Sequence, residues 1–263
     1  MLNSITLYHE PTVVSTSLMA RRAIASGQAT ARVPMAWIAD EQTGGVGRFG
    51  RRWFSPSGGV WMTVALPIDG TVRSAMGVRI GLACRGVVAE MVRRAGGVHE
   101  CQLKWPNDVM LNGRKVLGVL IEVVHGAASG GRASEAWLLV GVGLNANFAT
   151  DQLPESLRTN ATTLRDVLGT DIDLERAAAD LLAAIRSAVS DETRPVAEIV
   201  RAAQANGGLW GAGREVKLTM PDGERHEGVI LGIDDGGYLR VSIGGVERAL
   251  SAVDQVELLS SEP

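Results

Sequence analysis

Cysteine is nearly absent from this chain: only Cys84 and Cys101 occur in 263 residues. Two cysteines make no disulfide framework, and these two lack metal-ligand spacing. Their expected role is as small buried apolar residues. No stretch is long and apolar enough to span a bilayer. Met1 to Glu10 has neither a basic start nor an apolar run, so no signal peptide is expected. A large excess of one charge is missing too. The formal net charge is -3, which gives no reason to expect nucleic acid or another polyanion as partner. What is left is an ordinary globular composition, 46% hydrophobic and 21% charged, expected in the cytoplasm. The length suits one large domain, or one domain with a small one appended. The glycosylation sequon Asn160-Ala161-Thr162 has no export signal to give it meaning.

Glycine, by contrast, is plentiful, and its densest cluster is informative. Gln42 to Trp53 reads Gln-Thr-Gly-Gly-Val-Gly-Arg-Phe-Gly-Arg-Arg-Trp. Glycines let a backbone approach a ligand closely. Arginines meet phosphate or carboxylate with a two-pronged fork. Gly45, Gly47 and Gly50 match the G-x-G-x-x-G dinucleotide fingerprint, but that fingerprint needs a helix opening directly after it. Here Arg51 to Gly59 supplies turn residues instead. The segment is therefore expected to be a long glycine-rich loop between strands at Met35–Ala39 and Val60–Leu66.

Elsewhere the chain alternates helices and strands. Ser15 or Thr16 can cap a helix that stops at Gly27. Ser74 starts a long helix ending near Gly96-Gly97, with Gly77 and Gly81 on one face packing against a sheet. Short apolar runs follow at Gln102–Trp105, Val109–Leu111, Val116–Val124 and Ala136–Leu144. Asn112-Gly113 marks a tight hairpin, and Gly126–Arg132 a longer one. Asp173 caps a helix over Leu174–Val189, and Pro195 opens another that ends near Asn206-Gly207-Gly208. From Arg214 onward five short strands separated by turns predict a small β-barrel. The fold class is α+β, with a mixed, largely antiparallel sheet and helices. The expected domains are residues 1–212 and 213–263.

Two further segments look functional. Lys104-Trp105-Pro106-Asn107-Asp108 puts an indole, an amide and a carboxylate in a stiff bend, and tryptophan is a poor choice for an ordinary surface loop. Lys115 follows the Asn112-Gly113 turn, so Asp108 and Lys115 flank one hairpin; Gly118 and Glu122 lie further along. Gly141 and Gly143 leave one strand face without side chains, so that something can lie against it. Asn145 stands at the end of that strand.

Taken in order, Ser15-Thr16-Ser17, Gln42 to Trp53, Lys104 to Asp108, Arg114 to Glu122 and Gly141 to Asn145 resemble the biotin protein ligases. The resemblance implies a catalytic domain like those of class II aminoacyl-tRNA synthetases, followed by an SH3-like barrel. It implies activation of biotin by MgATP to biotinyl-5′-AMP, then transfer to a lysine of a biotin carboxyl carrier protein. By the same resemblance, Ser15, Thr16, Ser17 and Gln42 would hold biotin's ureido ring. Val46, Gly47, Arg48, Lys115 and Gly118 would complete the biotin site. Arg48, Arg51, Trp53, Lys104, Asn107, Asp108, Lys115 and Asn145 would hold ATP and the adenylate. Arg48 and Lys115 would be catalytic, and Asp108 would stand near the Mg2+ that accompanies ATP. No dedicated metal site and no membrane contact are expected, and a homodimer is compatible with the pattern.

The sequence departs from the family in two places. The loop usually reads Gly-Arg-Gly-Arg, whereas here Val46 replaces the first arginine. The first motif usually ends in asparagine, and Ser17 stands there. An active ligase with a leakier intermediate is the expected consequence. Two alternatives remain at this stage. One is a lipoate-type ligase of related fold, against which the ureido-suited Ser15–Ser17 and Gln42 argue. The other is a biotin-sensing repressor, against which the start of the first motif at Ser15 argues, because it leaves no room for a DNA-binding domain before it.

Overall fold

The computed structural model describes residues 5–28, 33–69, 75–126, 135–191 and 194–259. Its larger sheet contains β1 (Thr6–Val13), β2 (Met35–Val46), β3 (Arg52–Ser55), β4 (Val60–Ile68), β5 (Cys101–Lys104), β6 (Asp108–Leu111), β7 (Arg114–His125) and β8 (Ala136–Leu144). The order is β1-β2-β4-β8-β7-β6-β5, with β3 paired to β2. Only β1 and β2 run parallel; the other pairings are antiparallel.

Side chains alternate across these strands, and the two faces have different fates. Met62 and Val64 of β4, with Val140 and Val142 of β8, pack under α2 (Met76–Arg94) and α5 (Leu174–Ser190). On the other face Met35, Trp37, Ala65 and Leu139 pack under α1 (Thr16–Ala25). Asp173 caps α5 by accepting the Arg176 amide at 2.9 Å, as expected. Gly81 of α2 is also accounted for. A Cβ there would lie 2.7 Å from Leu103 and 3.1 Å from the Pro106 carbonyl. Short helices α3 (Glu155–Arg158) and α4 (Leu164–Leu168) were not foreseen, and α6 is Val196–Ala205.

Three expectations need correction or fall outside the described residues. The glycine-rich loop is mostly strand. β2 runs on to Val46, turns through Arg48–Gly50 and returns as β3, with Gly45 opposite Trp53 and Val46 opposite Arg52. The missing side chain at Gly45 lets the two backbones close up: a Cβ there would sit 2.6 Å from the Trp53 carbonyl. The glycines therefore serve strand pairing as well as access. Ser74 and most of Gly126–Arg132 lie outside the described residues. Strand β1 was not anticipated, because its side chains are almost all exposed and give no apolar alternation.

The C-terminal sheet has β9 (Glu215–Thr219), β10 (Arg225–Ile233), β11 (Leu239–Ile243), β12 (Val246–Leu250) and β13 (Gln255–Leu258). All pairings are antiparallel, in the order β12-β11-β10-β9-β13. Its apolar residues Val216, Leu218, Ile230 and Val241 share one core with Leu82, Leu103, Trp105 and Trp210. The turn before β11 presses on the larger part. The Trp105 indole N–H donates to the Gly237 carbonyl at 2.9 Å. Gly237 has φ +84°, and a Cβ there would lie 2.6 Å from the Ala75 Cα. Replacing Gly237 with alanine adds left-handed strain to a backbone clash. It should cost about 2–4 kcal/mol in urea unfolding; an unchanged midpoint would show that this contact is loose.

Candidate active site

A cavity of about 270 Å³ opens on the α1 face of the larger sheet. One end is polar and tightly cross-linked. Ser15 takes the cap position of α1, but its hydroxyl makes no cap bond. Instead the side-chain carbonyl of Gln42, reaching over from β2, accepts the Thr16 amide at 2.9 Å and the Thr16 hydroxyl at 3.1 Å. The Gln42 amide then donates to the Ser55 hydroxyl at 2.9 Å. Thr63 stands between Thr16 and Ser17, with hydroxyl contacts of 2.8 and 3.0 Å. Ser15, Thr16, Ser55 and Thr63 are all buried. Buried hydroxyls need partners, and Thr16, Ser17, Ser55 and Thr63 find theirs within this set.

The floor is made by glycine. A Cβ on Gly143 would lie 2.4 Å from the Trp53 indole nitrogen, and one on Gly118 would lie 2.9 Å from the indole ring. One on Gly141 would stand 3.2 Å from the Ser17 hydroxyl. The bare strand face anticipated from the sequence is thus covered by the chain's own Trp53 and Ser17. The Trp53 indole N–H is buried without a hydrogen-bond partner.

The other end is charged. The Lys115 ammonium sits 2.7 Å from the Asp108 carboxylate and 4.9 Å from the Trp53 ring centroid. The Asn112-Gly113 turn, with φ of 49° and 76°, delivers Lys115 to this place. The Lys115 backbone is also pinned, its amide donating to the Asn160 carbonyl at 2.8 Å and its carbonyl accepting from Thr162 at 2.9 Å. Asn145 braces the same segment by donating to the Thr162 carbonyl at 3.0 Å. Arg51 forms an ion pair with Asp254, which precedes β13. Burial pushes the Arg48 guanidinium below its usual pKa, Asp108 partly restores it, and the neighbouring Arg51 lowers it again.

All but two of the residues expected to hold biotin or ATP line this cavity, Val46 and Gly47 included. Lys104 and Asn107 are not in its wall. Lys104 lies 4.4 Å over the Trp210 ring, where burial lowers its pKa. Asn107 is buried, with its amide donating to the Val119 carbonyl and its carbonyl oxygen unpartnered. Among the lining residues that were missed, three are polar and stand near the network or the cations. Ser55 and Thr63 had a readable signal, since Thr63 is a polar residue inside an apolar strand. Asp254, from the C-terminal part, had none. Both cysteines are buried, with thiol pKa values pushed up to about 12 for Cys84 and about 11 for Cys101, so neither is a nucleophile.

Residues 21–142 match the Biotin/lipoate A/B protein ligase family, and residues 211–252 match the Biotin protein ligase C terminal domain. The chain is 31% identical over 225 residues to the biotin–[acetyl-CoA-carboxylase] ligase of Mycobacterium tuberculosis, spanning 84% of this chain and 78% of that protein. The chain belongs to the biotin protein ligase family. Its likeness to the bifunctional ligase/repressor BirA of Bacillus spizizenii is 29% over 217 residues, 82% of this chain. The match spans only 64% of that relative's length. Among solved structures, the biotin protein ligase of Aquifex aeolicus in complex with biotin and ATP shares the fold with a TM-score of 0.74. That match has 24% identity and covers 97% of this chain and 99% of that one.

As a family member the chain keeps a prebuilt hydroxyl and amide network at one end of its cavity, centred on Thr63. Thr63→Val keeps the shape but removes the contacts to Thr16 and Ser17. Stability should fall by about 1–2 kcal/mol in urea unfolding; no loss would mean that the network is not coupled to the fold.

Proposed function

We propose that the protein is an ATP-dependent biotin protein ligase. The observation that carries this reading is the two-ended cavity. A neutral hydrogen-bonding pocket stands at one end, and Arg48, Arg51 and Lys115 converge at the other. Biotin has the matching shape, with a neutral ureido ring at one end and a carboxylate at the other. A lipoate dithiolane offers no comparable hydrogen-bonding group to Ser15, Thr16, Ser17 and Gln42, so the biotin reading is preferred.

In the first step a biotin carboxylate oxygen attacks the α-phosphorus of ATP, and pyrophosphate leaves. In the second, a carrier-protein lysine amine attacks the acyl carbon of biotinyl-5′-AMP. An amide forms, AMP departs, and the amine gives up its proton. Bringing a carboxylate to a triphosphate sets like charges together, so positioning and fixed positive charge dominate. Lys115, anchored through its backbone and its Asp108 partner, stands where the two groups join. Arg48 holds the carboxylate and phosphate end, with Val46 and Gly47 beside it and Gly118 in the floor. Arg51 contacts phosphate, Trp53 stacks near the adenine, and Asn145 braces the nucleotide end. Lys104 and Asn107 act from behind the wall, through the bend that carries Asp108.

Magnesium travels with ATP and binds through one or two carboxylates plus phosphate oxygens. Among the described residues no cluster of three metal-ligating side chains exists. Asp108 in the cavity wall fits the smaller requirement, and the ion there would offset phosphate charge. We assign residues 1–212 to catalysis and 213–263 to a C-terminal SH3-like domain. Biotin, ATP and the carrier protein are the partners in this reading, in the cytoplasm and without nucleic acid, and a homodimer is compatible with it. No helix among the described residues is long and apolar enough to cross a membrane.

Labelled biotin with ATP should pass to a purified carrier domain, and Lys115→Ala should slow that transfer by about a hundredfold or more. Absence of transfer by the natural sequence would sink the ligase reading, and equal transfer by both would sink the role of Lys115. Val46 is half exposed on the hairpin, where the family usually has arginine. Val46→Arg should slow release of the adenylate, measured by its escape from a preloaded enzyme; equal rates would remove the idea of a leaky intermediate.

A further inference from the structure

The hairpin between β2 and β3 turns at Phe49-Gly50, with φ of 58° and 71°. Positive φ at both central positions is the type I′ pattern, which favours Asn-Gly. The same chain uses that preferred pair at Asn112-Gly113, with φ of 49° and 76°. Phenylalanine is a poor substitute there, because an L side chain without a local polar bond is strained in the left-handed region. The residue is also 56% exposed, so burial does not offset the strain. What the ring does touch is charge. The Arg48 guanidinium carbon lies 4.9 Å from the Phe49 ring centroid, and that of Arg51 lies 5.5 Å from it. Both distances are within cation–π range. Arg51 is held from a second side by Asp254, whereas Arg48 makes no ion pair among the described residues.

We propose that Phe49 is a positioning residue, whose ring gathers Arg48 and Arg51 into one anion-binding unit facing the cavity. Two guanidinium groups repel each other, and a shared aromatic face offsets that repulsion before a polyanion arrives. A strained residue kept at a functional site is the pattern expected where the strain serves a purpose. The ligand class is the triphosphate of the reaction proposed above, so the inference rests on that reading.

Phe49→Asn installs the residue that the turn prefers and removes the ring. Phe49→Tyr keeps the ring. ATP binding by calorimetry, pyrophosphate exchange and thermal unfolding would be compared on the full chain. The Asn variant should unfold at the same or a higher temperature. Its dissociation constant and KM for ATP should rise about fivefold, with kcat changing less than about twofold. The Tyr variant should stay within about twofold of the natural sequence on every measure. An Asn variant that binds ATP normally would overturn the proposal, as would equal weakening in Asn and Tyr variants. A lower unfolding temperature for the Asn variant would overturn the strain argument. If the natural sequence neither binds ATP nor exchanges pyrophosphate, the ligase reading itself fails, and the proposal falls with it.

Discussion

The indole of Trp53 lies flat on a sheet surface that only glycine could provide, and the rest of the site depends on that contact. Gly118 on β7 and Gly143 on β8 leave no room for a side chain beneath the ring. With Trp53 seated there, β3 has a fixed height above the sheet. Its pairing to β2 then fixes the turn that carries Arg48 and Arg51. Lys115, on the same strand as Gly118, comes within cation–π range of the indole. Three cations thus gather around one packing contact.

Placing cations together raises a second constraint. Unpaired like charges in a half-buried cavity repel and are costly to desolvate. The structure answers with carboxylates: Asp108 for Lys115 and Asp254 for Arg51. These pairs are partly exposed, so they contribute little to net stability. Their value lies in geometry, because a cation held by one carboxylate oxygen keeps other N–H donors free for a ligand. Arg48 has no such ion pair among the described residues; burial lowers its pKa, and Asp108 and Asp254 act on it only at longer range.

How much of this was legible in the sequence follows from which signals are local. The Asn112-Gly113 turn, the Asp173 cap and the C-terminal strands depend on neighbours in sequence, and each stands where it was expected. Strand β1 was invisible because an exposed edge strand has no apolar periodicity. The hairpin of β2 and β3 was read as a loop because its glycines looked like breakers, when they were giving two backbones room to pair. Lys104 was placed with the nucleotide contacts because it begins a functional-looking segment. It pairs directly with Asp108 across β5 and β6, yet its ammonium lies over the Trp210 ring, outside the cavity wall.

Asp254 shows the limit most clearly, because its meaning exists only after the chain has folded back on itself. Nothing adjacent to it in sequence suggests a site. The C-terminal sheet reaches the larger sheet through a shared apolar core and through the Trp105 bond to Gly237. Trp105 takes part in both, and it belongs to the Lys104–Asp108 bend, the same bend that aims Asp108 at Lys115. The docking surface and the charged end of the cavity are therefore two sides of one short segment. A change that loosens the C-terminal sheet reaches the site along two routes. One runs through this bend to Asp108, and the other through Asp254 to Arg51.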